Sequence, residues 1–288
     1  MSHTKDLRIK EGKSVRLDSW PTVIKPVYGS RKDYETILAG HIARLNEQQQ
    51  LLYASNSHAV LLIFQGMDAA GKDGAIKHVM SGVNPQGCQV YSFKQPSRDE
   101  LQHDFLWRSM TKLPERGRIG IFNRSYYEEV LVTRVHPDIL VNEAIPDLPS
   151  DPAKIWQHRY RSINNIERHL HANGTRILKF FLHLSKDEQH KRFLQRIDDP
   201  EKNWKFSLAD VQERSFWDKY MEAYEDCLAA TSTDDAPWFV IPADDKENAR
   251  LLISEILLDR LEDMKMRYPQ SGSDRQHELH EIRRQLTE

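Results

Sequence analysis

The residues Gly66-Met-Asp-Ala-Ala-Gly-Lys-Asp73 match the pattern GxxxxGK. Two glycines at that spacing let the backbone wrap so that successive N–H groups point inward at phosphate oxygens, and a helix starting at the lysine adds its positive dipole end. Gly66, Ala69, Ala70 and Gly71 are therefore expected to cradle phosphate, with Lys72 as a point charge beside them. The plain alternative is a glycine-rich turn between a strand and a helix that holds nothing. Placement argues against it, because the apolar run Ala59–Phe64 precedes the loop and a helical stretch follows it. Two carboxylates complicate the cradle. Asp73 stands where a serine or threonine would give its hydroxyl to a metal, and Asp68 lies inside the loop itself. A carboxylate beside a phosphate is repelled unless a cation lies between them, so Asp68 is expected to face one or more magnesium ions, or manganese in their place. Asp73 is open to two readings, phosphate or metal ligand and helix cap.

A second constellation is Asn123-Arg-Ser-Tyr-Tyr-Glu-Glu129, at the end of the apolar run Arg118–Phe122. In proteins with such a phosphate loop this strand neighbours the first and normally ends in a metal-binding Asp. Asn123 can hold an ion's water but brings no charge, which leaves Asp68 and Glu128 to supply it. Arg124 can meet phosphate oxygens bidentately, or else pair with Glu128 or Glu129. Glu128 could serve a shorter phosphate acceptor through a metal or its water, or merely pair with Arg124 or Arg134. The third constellation lies between Lys186 and Lys219, where eight basic and eight acidic residues include Arg192 and Arg196 on one helix face, followed by the polar segment Asp198-Asp-Pro-Glu-Lys-Asn-Trp-Lys205. Cationic side chains on a helical hairpin suit a lid that closes over phosphates and excludes water; a solvated mixed-charge helix pair would read alike. The histidines show no metal-binding spacing, and Trp107, Trp156, Trp204, Trp217 and Trp238 read as core.

These groups need a scaffold that brings three distant segments together. Gln89–Phe93, Arg176–Leu184 and Trp238–Ile241 join the two runs already named as short apolar blocks of the kind buried on both faces of a parallel sheet. Helical patterns separate them at Asp73–Ser81, Arg98–Thr111, Ser125–Val135, Pro152–His171, Lys186–Arg196, Ser207–Ala229 and Asp245–Met266, with one more, Tyr34–Tyr53, ahead of the first strand. Strand and helix in alternation predict an α/β open sheet. The first 32 residues carry eight basic against three acidic side chains and are broken by Pro21, Pro26 and Gly29, which suggests that residues 1–33 are a basic arm lying on the surface. Residues 268–288 form a charged tail with a marginal helix.

The chain has 288 residues with 41 Lys+Arg against 43 Asp+Glu, so it has no bulk positive field to attract nucleic acid, and a polyanion must be held by a local cluster. Cys88 and Cys227 are far apart and match no zinc spacing, which points to a reducing compartment. No run approaches a membrane span and the start lacks a secretory apolar segment, so a cytoplasmic protein without membrane contact is expected.

Taken together, GMDAAGKDGAIKHV at 66–79, KQPSRDELQHDFLWR at 94–108, GRIGIFNRSYYEEVLVTRVHP at 117–137 and FFLHLSKDEQHKRFLQRIDDPEKNWKFSLAD at 180–210 resemble the second family of polyphosphate kinases. The likeness spans roughly residues 30 to 265. It implies a P-loop kinase fold over 34–267, a five-stranded parallel sheet flanked by helices with a helical lid at about 186–219, and phosphoryl transfer between inorganic polyphosphate and nucleotides. It also implies that Asp68 and Lys72 serve the loop, that Arg124 handles phosphate, and that Arg192, Arg196, Lys202 and Lys205 hold polyphosphate. The string Asn123-Arg-Ser-Tyr-Tyr-Glu128 is similar to the subgroup acting on both AMP and ADP, although Glu129 replaces an expected Asp. A homodimer or homotetramer is implied too. An ATP-dependent nucleoside monophosphate kinase and a non-catalytic nucleotide-binding regulator remain the competing readings; the former should carry Ser or Thr at 73, and the latter could dispense with Asp68 and the lid cations.

Overall fold

The computed structural model describes residues 4–143, 145–270 and 272–287, and of Asn142 and Lys205 the backbone alone. Each expected apolar block forms a strand, within a residue or two of its expected bounds: β1 Ala59–Gln65, β2 Cys88–Ser92, β3 Ile119–Asn123, β4 Thr175–His183 and β5 Trp238–Pro242. They form one sheet in the order β2-β3-β1-β4-β5 with every neighbouring pair parallel. All seven residues of β1 are buried. Its side chains divide by the strand's period of two. Val60, Leu62 and Phe64 enter the core on one face of the sheet, and Leu61 and Ile63 that on the other.

The main helices are α1 Arg31–Ser55, α2 Lys72–Val79, α3 Glu128–Val135, α4 Pro152–Ala172, α5 Lys186–Asp198, α6 Leu208–Ser215, α7 Trp217–Thr231, α8 Lys246–Asp263 and α9 Ser273–Thr287. The first core is closed by apolar side chains of α1, α2 and α8, among them Leu45, Ile76 and Leu252; the second by α3, α4 and α7, among them Leu131, Ile163 and Ala223. Because β1 lies between β3 and β4, a crevice opens beyond the carboxyl ends of these strands, where ligands bind in open α/β sheets. The phosphate loop leaves β1 at that point.

Several expectations are corrected. The stretch Arg98–Thr111 is not one helix; it contains a short turn at Glu100–Gln102 and a single helical turn at Trp107–Met110, because Arg108 must reach the buried Glu129, 3.1 Å away. Ser207–Ala229 divides at Phe216 into α6 and α7. A further short helix, Pro137–Asn142, went unforeseen. The basic arm does not simply lie on the surface: Leu7, Ile9, Val15 and Leu17 are buried, and the Ile9 amide donates to the Trp238 carbonyl at 2.9 Å. Trp217 and Trp238 are buried as expected, whereas Trp204 is 73% exposed on the segment between α5 and α6. Among the described residues no helix is long and apolar enough to cross a membrane, and both cysteines are free thiols, Cys227 buried and Cys88 partly so. The tail forms α9, which buries none of its side chains.

Candidate active site

The loop after β1 is shaped by close approach. A Cβ on Gly66 would come within 2.9 Å of the Leu182 carbonyl of the neighbouring β4, and the backbone there has φ +152°, so glycine is required. Gly71 takes the left-handed conformation with φ +102° and caps α2. Ala69, with a side chain, is held at φ 64°. That conformation costs an L-residue about 1–3 kcal/mol and persists only where neighbours enforce it.

Lys72 folds back into this loop. Its ammonium donates to the Gly66 carbonyl at 2.6 Å and to Met67 at 3.2 Å. Burial, and after it the charge of Arg124, pushes its pKa down to about 8, against the pull of Asp68, Glu128 and Asp73.

Arg124 follows β3 directly and is the other strained residue of the site, at φ 64°. Its amide donates to the Phe64 carbonyl at 3.0 Å, its Nη2 lies 2.6 Å from Asp68 Oδ1, and its Nη1 lies 3.0 Å from Glu128 Oε2. The charge of Glu128 is the largest cause raising the pKa of Arg124. What enforces the turn is the pair of tyrosines that comes next. Tyr126 and Tyr127 both donate to Glu167 Oε1 at 2.8 Å, and Glu167 Oε2 in turn accepts from Lys179 at 2.6 Å, all within the second core. A lysine in the middle of β4 is tolerable only because its ammonium also reaches the Tyr127 hydroxyl and the Thr231 carbonyl.

The crevice is a cavity of about 1020 Å³. Of the described residues lining it, eight are Lys or Arg and three are Asp, in a chain whose overall formal charge is −2. Asp68, Ala69, Ala70, Gly71, Lys72 and Asp73 supply one wall, with Asn123 and Arg124 beside them and Arg196 and Lys202 across from them. Three segments distant in sequence are thus brought together as expected.

Four details differ. Asp73 makes no side-chain cap bond and instead accepts from Asn123 Nδ2 at 2.5 Å. Glu128 does not line the cavity; it sits behind Arg124, while Arg134 pairs with Asp226. Glu129 is buried against Arg108 and Arg159 rather than Arg124, and burial pushes its carboxyl up to about 7. Arg192, expected to hold phosphate, is 4% exposed and directs its guanidinium at protein: Nε at Glu188 (2.9 Å), Nη1 at the carbonyls of Ala69 (3.0 Å) and Ala70 (3.2 Å), and Nη2 at those of Ala243 (2.7 Å) and Asp244 (2.9 Å). It is a clamp on the loop, and the strained Ala69 is one of the residues it clamps. Gln189 adds a bond from α5 to the Asp68 carbonyl at 2.9 Å, so the root of the expected lid is fixed to the loop. Arg196 and Lys202 lie further out, with Lys202 paired to Asp199. The side chain of Lys205 lies outside the described residues.

Sequence reasoning also passed over Lys94, Lys246 and Arg250, which line the cavity. Lys94 lies two residues beyond β2. Lys246 and Arg250 offered only a pair of basic residues four apart at the start of a helix.

As to metal, Asp68, Asp73 and Asn123 present hard oxygen donors on one wall. Among the described residues no group of three or more His, Cys, Asp or Glu side chains is placed to hold an ion by itself. One or two carboxylates completed by substrate phosphate and water are what magnesium usually takes, so the donor set fits such an ion.

Comparison with known proteins gives a consistent result. The family described as Polyphosphate kinase 2 (PPK2) matches residues 28–269. An ADP-polyphosphate phosphotransferase of Rhodopseudomonas palustris is 63% identical over 283 residues, 98% of each chain. An AMP/ADP-polyphosphate phosphotransferase of Meiothermus ruber is 49% identical over 227 residues, 79% of this chain and 80% of the other. The crystal structure of polyphosphate kinase 2 from Arthrobacter aurescens TC1 superposes with a TM-score of 0.87 at 39% identity, covering 98% of this chain and 96% of that one.

Proposed function

This chain belongs to the polyphosphate kinase 2 family, and from that membership we propose that it transfers the terminal phosphoryl group of inorganic polyphosphate to AMP and to ADP, giving ADP and ATP, reversibly. The observation that carries this reading is the wall of eight cationic side chains around the phosphate loop of a chain that is otherwise slightly acidic. Two polyanions must meet there, and their repulsion is the main barrier the protein has to lower.

The chemistry needs no protein nucleophile. An oxygen of the acceptor's terminal phosphate attacks the terminal phosphorus of polyphosphate in line, the bridging P–O bond beyond it breaks, and the chain leaves one phosphate shorter. Lys72 and the loop amides hold the phosphoryl oxygens. Arg124, freed from Asp68 as phosphate enters, offsets the charge that passes between acceptor and donor. Asp68 and Asp73, with Asn123 beside them, would hold the magnesium ion, or manganese in its place, which supplies charge cancellation between the phosphate oxygens. Glu128 acts by bracing Arg124. Arg196, Lys202 and Lys205 complete the enclosure from the lid.

The acceptor range rests on Asn123-Arg-Ser-Tyr-Tyr-Glu128 and is supported by the Meiothermus relative, whose name includes both AMP and ADP. The same reading makes the protein a cytoplasmic homodimer or homotetramer acting on polyphosphate rather than on nucleic acid or a membrane; light scattering after size exclusion tests the assembly. The decisive experiment is purified protein with Mg²⁺, polyphosphate and either AMP or ADP, in the absence of ATP. Formation of ADP and ATP is expected. Product with ATP and a nucleoside monophosphate, but none with polyphosphate, would replace this reading with an ordinary nucleotide kinase. Product from ADP alone would restrict the acceptor range.

A further inference from the structure

The amino-terminal arm has been given no part in the chemistry, and none of its described residues lines the cavity. Its course nevertheless ends at an anchor of the phosphate loop. The arm passes β5 with an antiparallel bridge between Arg8 and Phe239, and the Leu17 amide then donates to Glu225 on α7 at 2.7 Å. Beyond that it crosses the carboxyl end of β5. There the Val27 amide donates to Asn248 Oδ1 and the Tyr28 hydroxyl to Asp245 Oδ2, both at 2.9 Å, at the start of α8.

The residue at this crossing is Asp244. The ladder between β4 and β5 closes with the Ala243 amide donating to the His183 carbonyl at 2.9 Å, so Asp244 is the first residue past the sheet. Its own amide donates to the arm, at the Thr22 carbonyl, 3.1 Å away. Its carboxylate is divided between two segments: Oδ2 accepts from the Thr22 hydroxyl at 2.9 Å, and Oδ1 from the Ser185 amide at 2.8 Å. Ser185 caps α5, the first helix of the expected lid, and a carboxylate there also suits the helix dipole. The Asp244 carbonyl accepts from Arg192 Nη2 at 2.9 Å, and the same guanidinium holds the carbonyls of Ala69 and Ala70. The clamp on the phosphate loop thus leans on Asp244, and past the last ladder bond it is the arm that holds Asp244. A shift of about 1 Å in the groups that position a reacting phosphoryl can cost ~10²-fold in rate.

We propose that Asp244 is a positioning residue for phosphoryl transfer, held by the arm through Thr22, and that it acts by fixing the root of α5 and the Arg192 clamp on the phosphate loop. The proposal rests on the phosphotransfer reading of the site. The test pairs steady-state kinetics with hydrogen exchange on the full-length chain, for wild type, Thr22→Val, Thr22→Ser, Asp244→Ala and the double variant Thr22→Val/Asp244→Ala, at a temperature where each is folded. With polyphosphate and ADP, Thr22→Val should lower kcat by ~5-fold and Asp244→Ala by ~10-fold or more, with KM for ADP changed less than ~2-fold. Thr22→Ser should recover the wild-type kcat, and the double variant should lose no more than Asp244→Ala alone, because the hydroxyl works through that carboxylate. Amides in the first turn of α5 should exchange faster in Thr22→Val and in Asp244→Ala than in wild type. Thr22 is half-buried, so its two variants keep the test open if Asp244→Ala does not fold. A lower melting temperature with kcat and KM unchanged makes Asp244 a tie of the fold alone and overturns the proposal, as do losses that multiply in the double variant. Wild type that forms no ATP overturns the functional reading itself, whereas unchanged exchange at α5 overturns the strap alone.

Discussion

Replacing Arg192 separates two roles that its residue type alone leaves confounded. If it clamps the loop, Arg192→Met removes a buried cation directed at four carbonyls and at Glu188. A hydrogen bond from a charged donor contributes about 1.5–3 kcal/mol, but these share one guanidinium and do not add. The better guide is the loss of one partner from a buried ionic pair, about 3–5 kcal/mol. For a protein of this size each kcal/mol moves Tm by about 2–4 °C, so a fall of about 6–20 °C is expected. Part of it arises at Ala69, whose φ of 64° loses one of the contacts that hold it. The assay is a thermal melt paired with kinetics: Tm should drop, and kcat should fall with AMP and ADP alike because the loop that positions the phosphoryl group is loosened. Arg192→Lys, which keeps the charge but reaches fewer carbonyls, should recover only part of the loss. A Tm within about 1 °C of wild type, together with a polyphosphate KM raised more than ~10-fold, would show that the residue meets phosphate after all and that the clamp is incidental.

Asp68→Asn should lower turnover by at least ~10²-fold, about 2.7 kcal/mol of transition-state stabilisation, with little change in Tm because its ion pair with Arg124 is partly exposed; equal activity in a direct comparison would remove the residue from the site. Glu128→Gln should reduce kcat/KM by ~10-fold for AMP and ADP in parallel, since the lost brace on Arg124 serves either acceptor, whereas a fall confined to AMP would restore a role in acceptor choice. His183 supplies a pH dependence. Burial holds its imidazole down at about 4 in the folded protein, against 6.5 for the free side chain. As pH falls through that window the unfolded chain takes up a proton the folded chain refuses, so stability should decline by up to about 3 kcal/mol between pH ~6.5 and ~4. Urea unfolding at both ends of the window should show a shallower decline in His183→Gln; identical slopes would place the acid sensitivity elsewhere.

What could be read from the chain follows from how local each feature is. Four strands were legible because a strand covered on both faces must be apolar throughout, as β1 is from Ala59 to Phe64; β2 departs from that expectation, because it lies at the sheet edge and leaves Gln89, Val90 and Ser92 exposed. The phosphate loop was legible for a related reason: its shape comes from consecutive backbone groups, and the glycines that permit that shape stand at fixed spacing. The arm was misjudged because its charge drew more notice than its pattern. Leu7 and Ile9, and again Val15 and Leu17, alternate two apart, and all four are buried. The helix expected over Arg98–Thr111 does not form as one piece because its course is set by Arg108 reaching Glu129, a partner 21 residues away.

The cations mark where local reading ends. Arg192, Arg196, Lys246 and Arg250 are alike in type and all lie on helices, yet the structure sorts them by what faces them. Arg192 meets carbonyls of two loops that approach only because β4 lies between β1 and β5. Lys246 and Arg250 line the cavity because the helix after β5 packs against α2, which starts at the phosphate loop. The phosphate loop is thus written in one contiguous string, whereas the placement of the cations around it depends on sheet order. Substitutions in the loop should therefore abolish transfer with any donor.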